Sequence, residues 1–297
     1  MSNVKSIIHR LRPREAALFF GPLALVFAVY YFFSTGFLLY ASVQRISMAL
    51  VNGRWVGLQN FKLLLGDPRF LSAFVNNIVF ACVSVAAALT IGFFLAVTLS
   101  AAWRGKALLY TVFLLPALMP LSLVASVFRT MLEARFGAVN VFLTDIGLEW
   151  MARSWLIDPT FAYGVVIILF VYIIGLPILY YTANLSTINT SLIESAVIDG
   201  AGTWRLFVEI LFPLMKGTHR TIVVSTLLTS FRAFDIVFFS TGGGPSGATE
   251  ITGTYVYNFS TTGTNVGYGS AAAVATLLVT LVLSGLHMRL SRKDEQG

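Results

Sequence analysis

Apolar residues in this chain fall in long unbroken runs rather than in the alternations that mark the faces of a soluble core. Six runs are long enough to cross a bilayer, near 16–40, 74–101, 107–131, 160–183, 218–240 and 267–288. A backbone amide in hydrocarbon has no water to pair with, so each run predicts a helix. The expected fold class is an all-α polytopic membrane protein with six transmembrane helices. One membrane domain over 16–288 would lie between a cytoplasmic tail at 1–15 and another at 289–297. Lys5, Arg10, Arg12 and Arg14 precede the first run. That run is too long for the apolar core of a signal peptide and reads as a retained span.

Basic residues orient the spans under the positive-inside rule. One side gathers the N-terminal tail, Arg104, Lys106, Arg205, Lys216, Arg220, Arg289, Arg292 and Lys293. The other holds Arg45, Arg54, Lys62, Arg69, Arg135 and Arg153. Both termini are therefore expected in the cytoplasm, with outer loops at 41–73, 132–159 and 241–266. These loops carry the Asn-Gly, Asp-Pro and Gly-Gly pairs of turns, and STGGGPSGATE, Ser240 to Glu250, is the clearest irregular stretch.

The loop 184–217 breaks the pattern differently. Leu192, Ala196, Leu206, Phe207, Ile210 and Leu211 recur at helical spacing, with Gly200 and Gly202 between two halves. This predicts two helices joined at a glycine bend, a knob beneath the membrane. Thr203 is expected to cap the second helix, Asp199 to face Arg205, and Pro213 to mark the handover to the fifth span. Read from its residues alone, such a loop is either an amphipathic connector on the headgroups or a docking knob for a soluble partner.

Composition agrees with a lipid environment: 57% of residues are hydrophobic, 11% are charged, and mean hydropathy is +0.81. The net charge of +7 does not point to nucleic acid, because the basic residues are scattered at span ends, where anionic lipid headgroups act on them. The single Cys82 excludes an internal disulfide, and no thiol cluster for a metal exists. His9, His219 and His287 are dispersed, which argues against a membrane enzyme. The glycines at 242–244 lack a following Lys-Ser or Lys-Thr, and no GxxxxGK[ST] occurs, so the chain carries no phosphate loop.

Glu194-Ser195-Ala196, Asp199-Gly200-Ala201, Phe207, Ile210 and Pro213 resemble the EAA loop of permease subunits in binding-protein-dependent ABC importers. The stretches 74–100, 114–132, 136–148 and 230–245 are similar to the carbohydrate-uptake branch of that family, of the maltose or glycerol-phosphate first-permease type. Ser195 stands where the family usually has alanine, and Asn189 where it often has proline. The resemblance implies that 184–217 is a coupling loop seated in a cytoplasmic ATPase dimer. It also implies a second permease in a heterodimer, an extracytoplasmic solute-binding protein docking at the outer glycine turn, and a place in the bacterial inner membrane. No cofactor is expected in this chain; ATP and Mg would be held by the ATPase.

Ionisable groups inside a span are functional candidates by default. Arg232 and Asp235 lie three apart in the fifth span, and Arg129 sits near the outer end of the third, placed to snorkel. Arg232 and Asp235 neutralise one another, bind a partner helix, or face the translocation path. Thr226, Thr229, Ser230 and Ala233 share a small, mildly polar helix face that suits helix packing. The resemblance instead implies a carbohydrate path along this face and Arg232, with Tyr172 and Leu176 added from the fourth span. Tyr172, Tyr180, Phe231 and Phe234 would offer stacking surfaces. Asn76 and Asn77, at the start of the second span, are expected to hydrogen-bond between helices, with a place at the outer gate as the alternative. The rival reading is an ion-coupled secondary transporter with Arg232 and Asp235 as its relay, which leaves 194–213 without a purpose.

Overall fold

The computed structural model describes residues 13–47, 53–101, 105–261 and 265–294, so Lys5, Arg10, Arg12 and Arg104 lie outside the described residues. The first span runs through α1 (Pro13–Ala28), a π turn at Val29–Phe33 and α2 (Ser34–Ser42). Its apolar side chains project away from the rest of the chain, with Phe19, Tyr30 and Phe33 all more than 70% exposed. A two-residue antiparallel pair follows, β1 (Gln44–Arg45) with β2 (Arg54–Trp55). Asn60, in α3 (Gln59–Leu65), ties it down by donating to the carbonyls of Ser42 and Gln44.

The second span starts at Pro68 rather than at 74. Asp67 accepts from the Arg69 amide at 2.9 Å and Pro68 fills the first turn, so the Asp-Pro pair that reads as loop punctuation is a helix cap. α4 (Pro68–Ala87) continues through a π turn at Ala88–Gly92 into α5 (Phe93–Ser100).

The third apolar run is not one straight helix. α6 (Lys106–Leu118) and α7 (Leu121–Met131) meet at 105°. Met119 is extended because it precedes Pro120, and a residue before proline is pushed out of the helical region. The expected single span 107–131 is thus corrected to a bent pair. After α8 (Ala138–Asp145) comes α9 (Pro159–Tyr172), capped by Asp158, which accepts from the amides of Thr160 and Phe161. α9 hands over to α10 (Gly175–Leu185) at Ile173 and Ile174; Pro177 has no amide to return to the carbonyl of Ile173. Gly175 lets α10 approach α6 closely: a Cβ there would stand 2.7 Å from both the Ala117 methyl and the Phe113 carbonyl.

The inward loop folds as α11 (Thr190–Ile198) and α12 (Thr203–Arg205), the latter running through a π turn at Leu206–Leu211 into α13 (Phe212–Leu214). The fifth span is α14 (Lys216–Arg232) and α15 (Phe234–Ser240), bent by 45° at Ala233. Two further helices, α16 (Thr252–Thr261) in the loop after the fifth span and α17 (Val266–Asp294), complete the described chain. Among the described residues four helices are long and apolar enough to cross a membrane, or up to six if each bent pair counts as one span.

Packing is organised in three clusters. Phe93, Ile178, Tyr181, Leu211, Met215 and Ile222 join the second, fourth and fifth spans to the inward loop. Phe80, Val124, Leu169, Phe170 and Val237 fill the space where α4, α7, α9 and α15 meet. Leu64, Phe70, Ala73, Tyr255 and Ala272 fasten α3, α4, α16 and α17 together.

Candidate coupling elbow and solute path

α11 ends where the sequence places its bend. Gly200 is left-handed at φ +81, its amide returns to the Val197 carbonyl at 3.0 Å, and the Ala201 amide returns to the Ala196 carbonyl at 2.9 Å. These two bonds are the paired closure of a glycine-terminated helix. Asn189 starts the same helix by accepting from the Ser191 amide at 3.1 Å. Two expectations fail. Gly202, not Thr203, occupies the cap position of α12, and no side chain caps it. Arg205 pairs with Glu209 at 2.8 Å rather than with Asp199, because one helical turn brings i and i+4 together while Asp199 lies across the glycine bend.

The elbow presents its chemistry outward. Leu192, Val197, Ile198 and Trp204 are exposed, Ile198 by 84%, beside exposed Glu194, Ser195, Asp199 and Gly200, with Ala196 and Ala201 half-buried. The opposite side is anchored: Ile193, Leu206 and Phe207 pack against the cluster around Phe93 and Tyr181. Trp204 stacks on Phe94 with ring centroids 5.7 Å apart.

His219 carries the elbow into the membrane helices. One ring nitrogen bonds the Phe212 carbonyl at 2.8 Å, and the other lies 2.7 Å from the Tyr181 hydroxyl. A carbonyl only accepts, so Nε2 carries a proton. Rings of Phe93, Phe212 and Tyr181 surround the imidazole, with Phe212 at 4.1 Å. This joint links the end of the elbow to the second, fourth and fifth spans.

The candidate path residues divide. Leu176, Thr226, Thr229, Ser230 and Ala233 line one cavity together with Ser84, Phe170 and Ser225. Its volume is about 60 Å³, well below the roughly 300 Å³ at which small-molecule sites begin. Tyr172 is not in that wall; it packs edge-on against Phe128 at 5.3 Å. Arg232 faces the other side of the bend, in a groove with Phe234 and Tyr257. Tyr180 lines a separate groove with Asn184 and Thr221. Arg232 and Asp235 are both exposed and form no ion pair with each other, because the backbone turns at Ala233 between them. Structural pairing of these two is thereby overturned. Arg129 is exposed on α7.

At the opposite end a network forms that sequence reasoning missed. Glu250, 2% exposed, takes two hydrogen bonds from the Arg69 guanidinium at 2.6 and 2.7 Å and a third from Asn258 at 3.0 Å. Asn76 donates to the carbonyls of Ala248 and Glu250, while Asn77 accepts from the amide and hydroxyl of Thr252. The expected structural role of both asparagines holds. Asp67 accepts from the hydroxyls of Tyr255 at 2.5 Å and Tyr268 at 3.1 Å. Burial pushes the Asp67 carboxyl up, but hydrogen bonds from Tyr255, the Arg69 amide and Tyr268 outweigh it and hold it below the ordinary value. The Tyr255 hydroxyl is pushed up by burial and by its bond to Asp67. The available signal was Glu250 itself, a lone carboxylate in an uncharged stretch that demands a cation nearby.

Residues 88–294 match the family of binding-protein-dependent transport system inner membrane components. The chain belongs to this family. The match begins inside the second span and takes in the elbow, the bent fifth span and the Glu250 to Tyr268 side of the network, whose other partners, Asp67, Arg69, Asn76 and Asn77, precede it. The probable ABC transporter permease protein YurN of Bacillus subtilis is 30% identical over 94% of this chain and 96% of its own length. The sulfoquinovosyl glycerol transport system permease protein SmoG of Agrobacterium fabrum is 27% identical over 94% and 91%. Among solved structures, a bacterial ABC transporter involved in the import of alginate, an acidic polysaccharide, superposes with TM-score 0.78 at 22% identity, covering 94% of this chain and 96% of that one. The fold is therefore that of an ABC importer permease, and the chain is a multi-pass transport subunit. An ion-coupled relay through Arg232 and Asp235 finds no support in this family or in the separated placement of the two side chains.

Proposed function

We propose that this chain is the membrane permease subunit of an ATP-driven importer that moves a sugar or sugar derivative handed over by a soluble binding protein. ATP and Mg are held by a separate ATPase dimer, against which the exposed side of the coupling loop 184–217 docks, and a second, different permease completes the pore. Both termini lie in the cytoplasm of a bacterial cell, and the outer turn at 241–251 receives the binding protein.

One observation carries the coupling reading. The most exposed apolar cluster of the inward face, Leu192, Val197, Ile198 and Trp204, sits on a glycine-bent elbow whose other side is locked into the membrane helices. Exposed apolar residues ringed by charges are the composition of an interface that buries them against a partner. Glu194 and Asp199 add charge at the rim, where it tunes specificity more than affinity. Coupling is reciprocal by linkage: a motor that closes on ATP biases the gates, and a loaded binding protein biases the motor. The sugar class is supported by the hydroxyl-bearing face of Thr226, Thr229 and Ser230 and by the sulfosugar system named for one relative.

Affinity capture through a tag on this chain tests the reading. Wild type is expected to retain an ATPase subunit, and Glu194→Lys to lose it while still inserting in the membrane. Equal capture by both would remove the elbow from the interface.

A further inference from the structure

A groove of about 730 Å³ opens between α14, α16 and α17, on the side of the Ala233 bend opposite the small-residue cavity. This volume lies within the range of small-ligand sites. Arg232 is exposed on its wall and makes no ion pair among the described residues. Arg232 lies eight positions before Ser240, about 12 Å measured along the bent fifth span. An arginine at that depth needs an anion, because neither hydrocarbon nor a neutral wall replaces its hydration.

The remaining wall indicates what brings the anion. Phe234 and Tyr257 form an aromatic surface, their centroids 5.5 Å apart, and Tyr257 packs further on Phe238. Thr276 and Thr280 already donate their hydroxyl protons to the carbonyls of Ala272 and Leu277, which leaves their oxygens as acceptors. Ser260 adds a hydroxyl on the facing helix. A lipid acyl chain gains nothing from hydroxyls, whereas a sugar uses both the acceptors and the flat ring surface. The planar guanidinium fork matches a carboxylate, sulfonate or phosphate in two parallel hydrogen bonds.

We propose that this groove is a solute contact in its own right, in which Arg232 binds the acid group of an anionic sugar while Tyr257 and the threonine oxygens take its ring. The proposal rests on the sugar-import reading above and narrows it to acidic sugars. Arg232 then screens the acid group during passage past the bend, and the neutral cavity at Thr226 and Ser230 handles hydroxyls only.

The test uses the complex purified through this chain, with its binding protein, in vesicles of phosphatidylcholine, which carry no anionic headgroup. Uptake is compared for matched glycans differing by an acid group: digalacturonate against galactobiose, and glucose 6-phosphate against glucose. Arg232→Gln is expected to slow the acidic member at least about tenfold, one lost charged hydrogen bond, and the neutral member less than about twofold. Arg232→Cys in a Cys82→Ser background, in which this chain holds no other thiol, is expected to regain acidic uptake after a cationic methanethiosulfonate reagent and not after an anionic one, with the Cys82→Ser complex carrying Arg232→Gln as the control for thiols on the other subunits. Neutral glycans carried as well as acidic ones, with Arg232→Gln changing neither, overturns the proposal and leaves sugar import standing. No glycan carried by wild type overturns both. Failure of Arg232→Gln to assemble, or loss of a co-purifying anionic lipid in that variant, assigns the arginine to a partner helix or to lipid and likewise overturns the proposal.

Discussion

Replacing Arg69 by alanine should damage the outer end of the molecule more than a surface arginine can. The Glu250 carboxylate is 2% exposed and Arg69 51%, and the guanidinium supplies two of the three hydrogen bonds shown to that carboxylate. Stripping a fully buried charge of its partner costs about 3–5 kcal/mol. Half of Arg69 is wet, so water replaces part of what is lost, and a charged hydrogen bond in that setting contributes about 1.5–3 kcal/mol. We expect Arg69→Ala to cost about 2–3 kcal/mol on these grounds. Glu250→Gln removes the charge and with it most of the need for Arg69. The double variant Arg69→Ala/Glu250→Gln should therefore melt above Arg69→Ala alone, with a coupling of about 1–2 kcal/mol. Thermal unfolding of the four proteins in one detergent, followed by tryptophan fluorescence, closes the cycle. Additive effects of the two substitutions would refute the reasoning, since a buried ion pair cannot be additive.

Three further outcomes follow from the same geometry. Asp67 is held below its ordinary carboxyl value, so the stability it adds is full above its unfolded value of about 4 and disappears as pH falls through the lower folded value; acid melting curves of Asp67→Asn should lack that limb. Gly175→Val puts side-chain atoms where even a Cβ stands 2.7 Å from the α6 backbone and Ala117, an overpacking cost of about 1–3 kcal/mol or more, visible as a lowered melting temperature. His219→Ala leaves the buried Tyr181 hydroxyl without its partner, at about 1–3 kcal/mol, and should uncouple ATP hydrolysis from uptake more than it lowers membrane insertion, read by comparing the two rates.

Much of this architecture is legible in the residues because membrane burial is a crude signal that tolerates no exceptions. Gly200 reads as a helix stop, and the structure closes α11 there with both return bonds. Asn76 and Asn77 read as hydrogen-bonding residues between helices; Asn77 meets Thr252 at the start of α16, while Asn76 donates to loop carbonyls before it. What is hidden depends on partners far apart in sequence. Arg69 and Glu250 are separated by most of the chain, and nothing local pairs them. The 105° turn at Met119 needs Pro120 to be weighed against an apolar run that hydropathy alone joins into one span. The path residues divide within a single helix: Arg232 follows Ser230 by two positions, about 200° around α14, and so faces away from Thr226 and Ser230. The caps at Asp67 and Asp158 show the same ambiguity in reverse: an Asp-Pro pair marks a turn or a helix start, and only the next apolar residue decides.

The central claim is that force enters through the glycine-bent elbow. At φ +81, a β-branched residue at position 200 is strained by roughly 1–2 kcal/mol or more, while no atom lies near enough for a clash. Gly200→Val therefore distorts the elbow alone. ATP-driven solute uptake by the reconstituted complex is the direct measurement. Uptake should fall by an order of magnitude or more in Gly200→Val, with the membrane helices still melting as in wild type. Full-rate uptake by that variant, or by wild type with no ATPase subunit present, would contradict the account.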